Sequence, residues 1–226
     1  NHTAPAGCAT IQKTRSLFKE ADAMAAPTKT MTLAEYLALP ETTQPTELLE
    51  GVLLQMPAPT DRHQAVVIAL LRWLLQTVTD GTLRTAPTDV AIQPQSVVQP
   101  DLFWIAPDSA CVLVEDRYWQ GAPDLVIEVI SEAEPHPPTP FSERRRGQKS
   151  PLYRRGDLGV RRKYELYQRA GVREYWLVNP DERSVEVFTL EAGRFARHGI
   201  FFAGDRMTSP ALGLQVDAAI FFPSGG

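Results

Sequence analysis

The pattern of apolar and polar positions predicts one long helix in the first half of the chain. Residues 59–79 carry this pattern, and residues 65–75 within it are apolar nearly all round. Thr60 or Asp61 can cap the start of the helix with a side-chain oxygen. Because apolar side chains cover most of its circumference, we expect this helix to be buried on most sides.

Two further helices are indicated elsewhere in the chain. Thr32 can cap a short helix over residues 33–39, and Glu35, three positions on, can complete a capping box. We interpret this helix as a lid on the core. Residues 157–169 return to helical spacing, and Gly171 is suited to the C-terminal cap.

The segments between the helices are rich in Val, Ile, Leu and Phe and are bounded by Pro or Gly, as expected for strands of a covered sheet. Residues 47–56 predict a β-hairpin in which Glu50 and Gly51 form the turn. The other predicted strands are residues 83–92, 97–105, 124–131, 174–178 and 184–190. From the long helix onward, the predicted order is a helix, three strands, a helix and two strands, which indicates an α/β fold.

Length and composition favour a single domain. A chain of 226 residues with 43% hydrophobic content can bury one substantial core. We interpret residues 1–28 as a disordered leader, residues 29–226 as the domain, and residues 134–156, which are rich in Pro and Arg, as an insertion. The two cysteines give no disulfide framework, and no apolar run approaches the ~20 residues that span a bilayer. We therefore expect a soluble, cytoplasmic protein that does not bind membranes.

Charge is distributed unevenly along the chain. The formal net charge is −4 at pH 7, but residues 141–169 contain ten Lys or Arg and three acids, which leaves −11 for the rest. A basic stretch is typical of contact with a phosphate backbone. The candidates for contact with the DNA backbone are Arg144, Arg145, Arg146 and Lys149. The alternative interpretation of the insertion is a flexible surface loop.

Two acids stand out because they lie within predicted apolar strands. Asp101 follows Pro100 within the predicted strand 97–105, and Glu128 lies in the middle of the predicted strand 124–131. Apolar residues flank Glu128 on both sides, and burying such a carboxylate without a partner is costly, so Glu128 needs an explanation. Mg²⁺ prefers oxygen ligands, often one or two carboxylates, and neighbouring strands are close enough for these two acids to share one ion. The main-chain carbonyl of Val129 is a candidate third ligand.

Four ordered motifs resemble the Uma-two family of putative restriction endonucleases. The motifs are Glu47-Leu48-Leu49-Glu50-Gly51, Gln99-Pro100-Asp101, the run from Gly121 to Val129, and the run from Gly171 to Pro180. The family is placed in the PD-(D/E)XK nuclease superfamily. The resemblance therefore implies a restriction-endonuclease-like core, with a mixed β-sheet flanked by helices, and a site built from Asp, Glu and Lys with Mg²⁺, for which Mn²⁺ can substitute.

The resemblance assigns catalytic roles to three residues. Asp101 and Glu128 supply the acids, but the lysine expected two positions after the glutamate is Ile130 here. The resemblance points instead to Lys163 on the following predicted helix, where Tyr167 shares its face. Arg161 is the alternative cation. It could not accept a proton.

Two more residues are candidates for the site. Glu47 is suggested by the resemblance as a further ligand or orienting group, and His63 could contact a phosphate or shuttle a proton. Each also has a structural interpretation: Glu47 as a surface acid, and His63 as a hydrogen-bonded histidine at a helix end. Likewise, Asp101 and Glu128 could cap loops or pair with arginines, and Lys163 could be an ordinary solvated lysine.

The sequence thus predicts a Mg²⁺-dependent DNA endonuclease, and two other functions stay open. One is a catalytically inactive nuclease-fold module that binds DNA or a protein partner. The other is a scaffold with neither activity. Cutting both strands of DNA would favour a symmetric homodimer, for which the sequence shows no surface.

Overall fold

The computed structural model describes residues 30–40, 44–93, 95–130 and 158–223. The predicted leader and insertion, with the four basic residues named for DNA contact, lie outside these residues. Within the described residues there are three α-helices and fourteen strands. The helices are α1 (Leu33–Leu37), α2 (Asp61–Thr77) and α3 (Leu158–Ala170). In this part of the chain, no helix is both long and apolar enough to cross a membrane.

Most of the strands form two six-stranded sheets. The strands are β1 (Thr46–Leu49), β2 (Val52–Gln55), β3 (Thr82–Thr85), β4 (Val90–Ile92), β5 (Ser96–Val98), β6 (Leu102–Ile105), β7 (Val112–Val114), β8 (Tyr118–Gln120), β9 (Leu125–Val129), β10 (Glu174–Asn179), β11 (Ser184–Glu191), β12 (Arg194–Phe202), β13 (Arg206–Ser209) and β14 (Leu214–Asp217). The central sheet has the order β12-β11-β10-β9-β6-β3, and the outer sheet has the order β2-β1-β5-β4-β8-β7. Strands β13 and β14 form a separate hairpin.

The central sheet is mixed and is covered on both faces. Strands β9 and β10 are parallel, whereas its other neighbouring strands are antiparallel. One face packs against α2 and the short 3-10 helix Ala218–Phe221, and the other packs against α3 and the outer sheet. Along β9, Ile127 belongs to the α2 side and Val126 to the α3 side. Strand alternation therefore directs the side chain of Glu128 to the α3 side.

Several local predictions are confirmed. Thr32 and Glu35 form the capping box of α1, and Thr60 caps α2 by accepting a hydrogen bond from the His63 backbone. In the turn between β1 and β2, Glu50 and Gly51 have φ values of 51° and 81°. Two consecutive positive φ angles are the geometry of a tight hairpin turn, in which glycine is favoured at the second position.

The predicted strand count is wrong, because two predicted strands are each divided between sheets. The segment 83–92 forms β3 in the central sheet and β4 in the outer sheet, and the segment 97–105 forms β5 in the outer sheet and β6 in the central one. Each break contains a proline, Pro87 or Pro100, and proline cannot donate to a strand ladder. Strands β7, β8, β12, β13 and β14 were also not predicted.

The expected burial of α2 on most sides is wrong as well. Val66, Leu70 and Leu74 are buried against the central sheet, but Ile68 and Leu75 are 53% and 65% exposed. A single sheet lies under the helix, so apolar residues on its outer side stay in contact with solvent. Although apolar residues lie around most of the circumference of α2, the helix is therefore buried on one side only.

Candidate active site

Strand register brings Asp101 and Glu128 together on one face of the central sheet. In the antiparallel ladder between β6 and β9, Leu102 pairs with Ile127 and Phe103 with Val126. The next step of this ladder sets Asp101 opposite Glu128. Residues directly opposite each other point to the same face with Cβ atoms about 5 Å apart. The split of the predicted strand 97–105 leaves this pairing intact, because Asp101 directly precedes β6.

The carboxylate of Asp101 is held by two contacts on one oxygen. Its Oδ2 accepts a hydrogen bond from the Val129 backbone N–H at 2.7 Å and lies 3.2 Å from His63 Nε2. His63 is buried in the first turn of α2, and burial alone would lower its pKa. The hydrogen bond and the negative charge of Asp101 outweigh burial, so the pKa of His63 is raised. Among the described residues, no donor contacts Oδ1 of Asp101.

Glu128 is contacted by two side chains of α3. Lys163 Nζ lies 3.1 and 3.3 Å from its two carboxylate oxygens, and the Tyr167 hydroxyl donates to Oε1 at 2.6 Å. Lys163 and Tyr167 are one helical turn apart, so a single face of α3 presents both. Burial alone would lower the pKa of Lys163, but the charges of Glu128 and Glu47 raise it. The pKa of Tyr167 is raised, first by burial and then by Glu128.

Glu47 reaches the same cluster from β1 of the outer sheet. Its side chain is 2% exposed, and its Oε1 lies 2.7 Å from Lys163 Nζ and accepts a hydrogen bond from the Gln99 backbone N–H at 2.9 Å. Its other oxygen, Oε2, is buried and has no hydrogen-bond partner among the described residues. Glu47 is therefore not a surface acid, and one of its oxygens can accept a further donor or a cation.

The cluster carries more negative than positive charge. The carboxylates of Glu128 and Glu47 contact the ammonium group of Lys163, and Asp101 lies opposite Glu128. Burial raises the pKa of Glu128 to about 7; Lys163 opposes the rise, while Asp101 and Glu47 add to it. An acid that is hard to ionise beside two others indicates a place where a cation would be stabilised.

The cluster offers oxygen donors of the type that a divalent ion takes. In the described ranges, no three His, Cys, Asp or Glu side chains converge as ligands of one metal ion. Mg²⁺ commonly takes one or two carboxylates and fills its remaining positions with water and substrate oxygens. The carboxylates of Asp101 and Glu128 are donors of that type, and the Val129 carbonyl stays a predicted third ligand.

The structure brings together the five side chains that the sequence singled out: Asp101, Glu128, Lys163, Glu47 and His63. The alternative cation, Arg161, is not part of the cluster. Its side chain is 67% exposed and pairs with Glu165 on the same helix at 2.9 Å.

Two further residues take part in the site: Tyr167, which the sequence placed beside Lys163 without giving it a role, and Gln99, which was not predicted. Tyr167 follows Lys163 by four residues, which is the spacing of a shared helical face. Gln99 stands two positions before Asp101, and its contact with Glu47 is made by the backbone, so its residue type gave no indication of it.

The fold and the paired acids at adjoining strand ends together define a restriction-endonuclease-like α/β protein. Residues 33–219 match the model of the Uma-two (Uma2) family, described as putative restriction endonuclease, and the chain belongs to this family. The resemblance and the fold class inferred from the sequence are confirmed. Membership of this family supports a nuclease function.

A solved structure with a similar fold is that of a putative nuclease belonging to DUF820 from Anabaena variabilis. The likeness has a TM-score of 0.62 at 19% sequence identity and covers 85% of this chain and 97% of that one. At this identity the likeness concerns the fold. No match is found among curated proteins.

Proposed function

We propose that this protein is a Mg²⁺-dependent endonuclease that hydrolyses phosphodiester bonds in DNA. The observation that carries the proposal is the placing of Asp101 opposite Glu128 on neighbouring strands, with Lys163 bonded to Glu128. Two adjacent carboxylates and a lysine meet the needs of phosphodiester hydrolysis, in which negative charge develops on the phosphate.

Asp101, Glu128 and the main-chain carbonyl of Val129 would hold the ion, and Mn²⁺ would substitute for Mg²⁺. When bound, the ion would stabilise charge on the phosphate and lower the pKa of the attacking water. The Val129 N–H fixes Asp101 through Oδ2, which keeps this carboxylate beside the Val129 backbone. Oδ1 of Asp101 is then the oxygen available to a cation.

Lys163 would act as a fixed positive charge. The carboxylates of Glu47 and Glu128 contact its ammonium group and raise its pKa, so it stays protonated at neutral pH. A protonated lysine cannot accept a proton from water, but it can stabilise the charge of the phosphate in the transition state. Glu47 and His63 would orient Lys163 and Asp101, respectively, through the contacts described above.

Replacement of Glu128 tests the proposal directly. We expect Glu128→Ala to abolish Mg²⁺-dependent cleavage of DNA, because a metal ligand is lost. The protein should stay folded, because the Glu128 side chain is not part of the apolar core. Glu165→Ala on the exposed side of α3 is the matched control and should cleave like the wild type. Cleavage by Glu128→Ala at the wild-type rate would contradict the proposal.

Metal titration separates an enzyme from an inactive module that only binds DNA. Calorimetric titration of Mg²⁺ or Mn²⁺ into the wild type should show binding that Asp101→Ala weakens strongly. DNA binding should be measured in parallel, with and without metal. Metal-independent DNA binding without cleavage would favour the binding module. Sedimentation with and without DNA would test the proposed homodimer.

A further inference from the structure

A chain of hydrogen bonds leads from α1 toward the candidate site. The hydroxyl of Tyr36 lies 2.9 Å from the Thr46 carbonyl and 3.3 Å from Oδ1 of Asp89. The side-chain amide of Gln99 donates to the same Oδ1 at 2.8 Å. Asp89 precedes β4, and its backbone carbonyl accepts from Trp119 at 2.9 Å, so the outer sheet holds its main chain.

The same Gln99 also contacts the site through its backbone. Its N–H donates to Oε1 of Glu47, the oxygen that binds Lys163. Gln99 is thus fixed at two points, by its side chain to Asp89 and by its backbone to Glu47. Pro100 follows, and its ring restricts the backbone before Asp101. The two contacts of Gln99 therefore fix the course of the backbone that leads to Asp101.

We propose that Asp89 is a positioning residue for the site: by holding the Gln99 side chain, it fixes the geometry of Glu47 with Lys163 and of Asp101 with Val129. The inference rests on the proposed function and extends it to a residue that contacts neither metal nor substrate. Burial, and then the charge of Asp89, raise the pKa of Tyr36 to about 12, so its hydroxyl remains a donor at every working pH.

If Asp89 positions Gln99, it contributes an acceptor oxygen at a fixed point. The need for that oxygen distinguishes a positioning role from general stabilisation of the loop. Asp89→Asn keeps an oxygen for Gln99 and Tyr36, whereas Asp89→Leu has the same number of side-chain heavy atoms, branched at the same carbon, and no acceptor. A positioning role predicts that Asn rescues what Leu loses. A role in overall charge predicts that both variants are equally impaired.

The first measurement is hydrogen exchange of the Gln99 and Val129 backbone amides by NMR, which requires no activity. In Asp89→Leu, we expect both amides to exchange at least ~10-fold faster, because their bonds to Glu47 and Asp101 open more often. Asp89→Asn should stay within about threefold of the wild type. Gln99→Met, which keeps the backbone N–H but loses the side-chain donor, should resemble Asp89→Leu and replaces it if that variant does not fold.

The second measurement concerns metal affinity and cleavage. Asp89→Leu should weaken Mn²⁺ binding by about 10-fold and lower kcat by a similar factor, as is usual when a residue supporting a metal ligand is lost. KM for DNA should be unchanged, and Asp89→Asn should restore both properties.

Unchanged amide exchange in Asp89→Leu and Gln99→Met would overturn the inference, as would equal impairment in Asp89→Asn and Asp89→Leu. If the wild type neither binds Mn²⁺ nor cuts DNA, the proposed function fails on that result. The exchange rates would still decide whether Asp89 fixes the two amides.

Discussion

Two acids of the central sheet have opposite surroundings: Glu174, which is fully buried, and Glu128, whose side chain is 12% exposed. Glu174 begins β10 and is fully buried, and its carboxylate accepts hydrogen bonds from the Trp176 indole, the Ser209 hydroxyl and the Ala211 backbone N–H, all at 2.6–2.7 Å. These neutral donors tie the segment around β13 to the sheet. Such a carboxylate is satisfied by the fold itself.

Glu128, on the adjoining strand, is surrounded by other charged groups instead. Lys163 contacts it, but Lys163 also pairs with Glu47, and Asp101 lies opposite. The ammonium group of Lys163 is therefore shared by two carboxylates, and Oε2 of Glu47 has no partner among the described residues. Burial alone therefore does not mark a functional acid. An acid whose charge the fold leaves uncompensated is the better candidate.

The largest expected effect on stability is that of Glu174→Ala. Two buried donors and one partly buried donor would lose their acceptor, so we expect the free energy of unfolding to fall by about 4 kcal/mol. Glu128→Gln should cost less than about 1 kcal/mol, because its raised pKa shows that the folded protein gains little from its negative charge. Urea unfolding of both variants measures the difference. Equal losses would remove the distinction between the two acids.

A smaller effect, on cleavage rather than stability, is expected for Lys163→Met. Loss of the positive charge should lower kcat by about 100-fold, the size typical of losing one group that stabilises the transition state. Affinity for Mn²⁺ should be retained or increased, because the cluster becomes more negative. Rapid-quench kinetics and calorimetry measure the two quantities. Loss of Mn²⁺ binding would show instead that the lysine holds the acids in place.

The smallest effect is on the pH dependence of metal binding. Burial raises the pKa of Glu128 to about 7, so below that pH a proton competes with the metal. We expect the apparent affinity for Mg²⁺ to rise by up to ~10-fold per pH unit until about pH 7 and then level off. Titration calorimetry between pH 5.5 and 8.5, a range of about 3 units around this pKa, checks this.

The same raised pKa has a consequence for the metal-free protein. The folded state holds the proton of Glu128 more tightly than the unfolded state, in which the pKa is near its ordinary value of 4.5. The contribution of this group to stability is therefore present at low pH and is lost as the pH rises through about 7. Glu128→Gln should lack this dependence. If the stability of Glu128→Gln depends on pH as that of the wild type does, Glu128 is not the group responsible for this pH dependence.

Local signals predicted a substantial part of the fold. The caps at Thr32 and Thr60, the turn at Gly51 and the end of α3 before Gly171 depend on neighbouring residues, and the structure has all four. The outer sheet was not predicted. Its pairings, such as β1 with β5 and β4 with β8, join distant segments, and strands of three or four residues have little pattern of their own.

Within the candidate site, the sequence by itself determined which acids needed explanation. An acid within an apolar strand is unusual wherever the strand lies, and the four motifs identified the family. Only the tertiary structure decided that Glu47 shares Lys163 with Glu128, that His63 meets Asp101, and that Gln99 connects Asp89 to the site. The physical reason is that these contacts join residues from two sheets and two helices, and the distances between them follow from packing rather than from spacing along the chain.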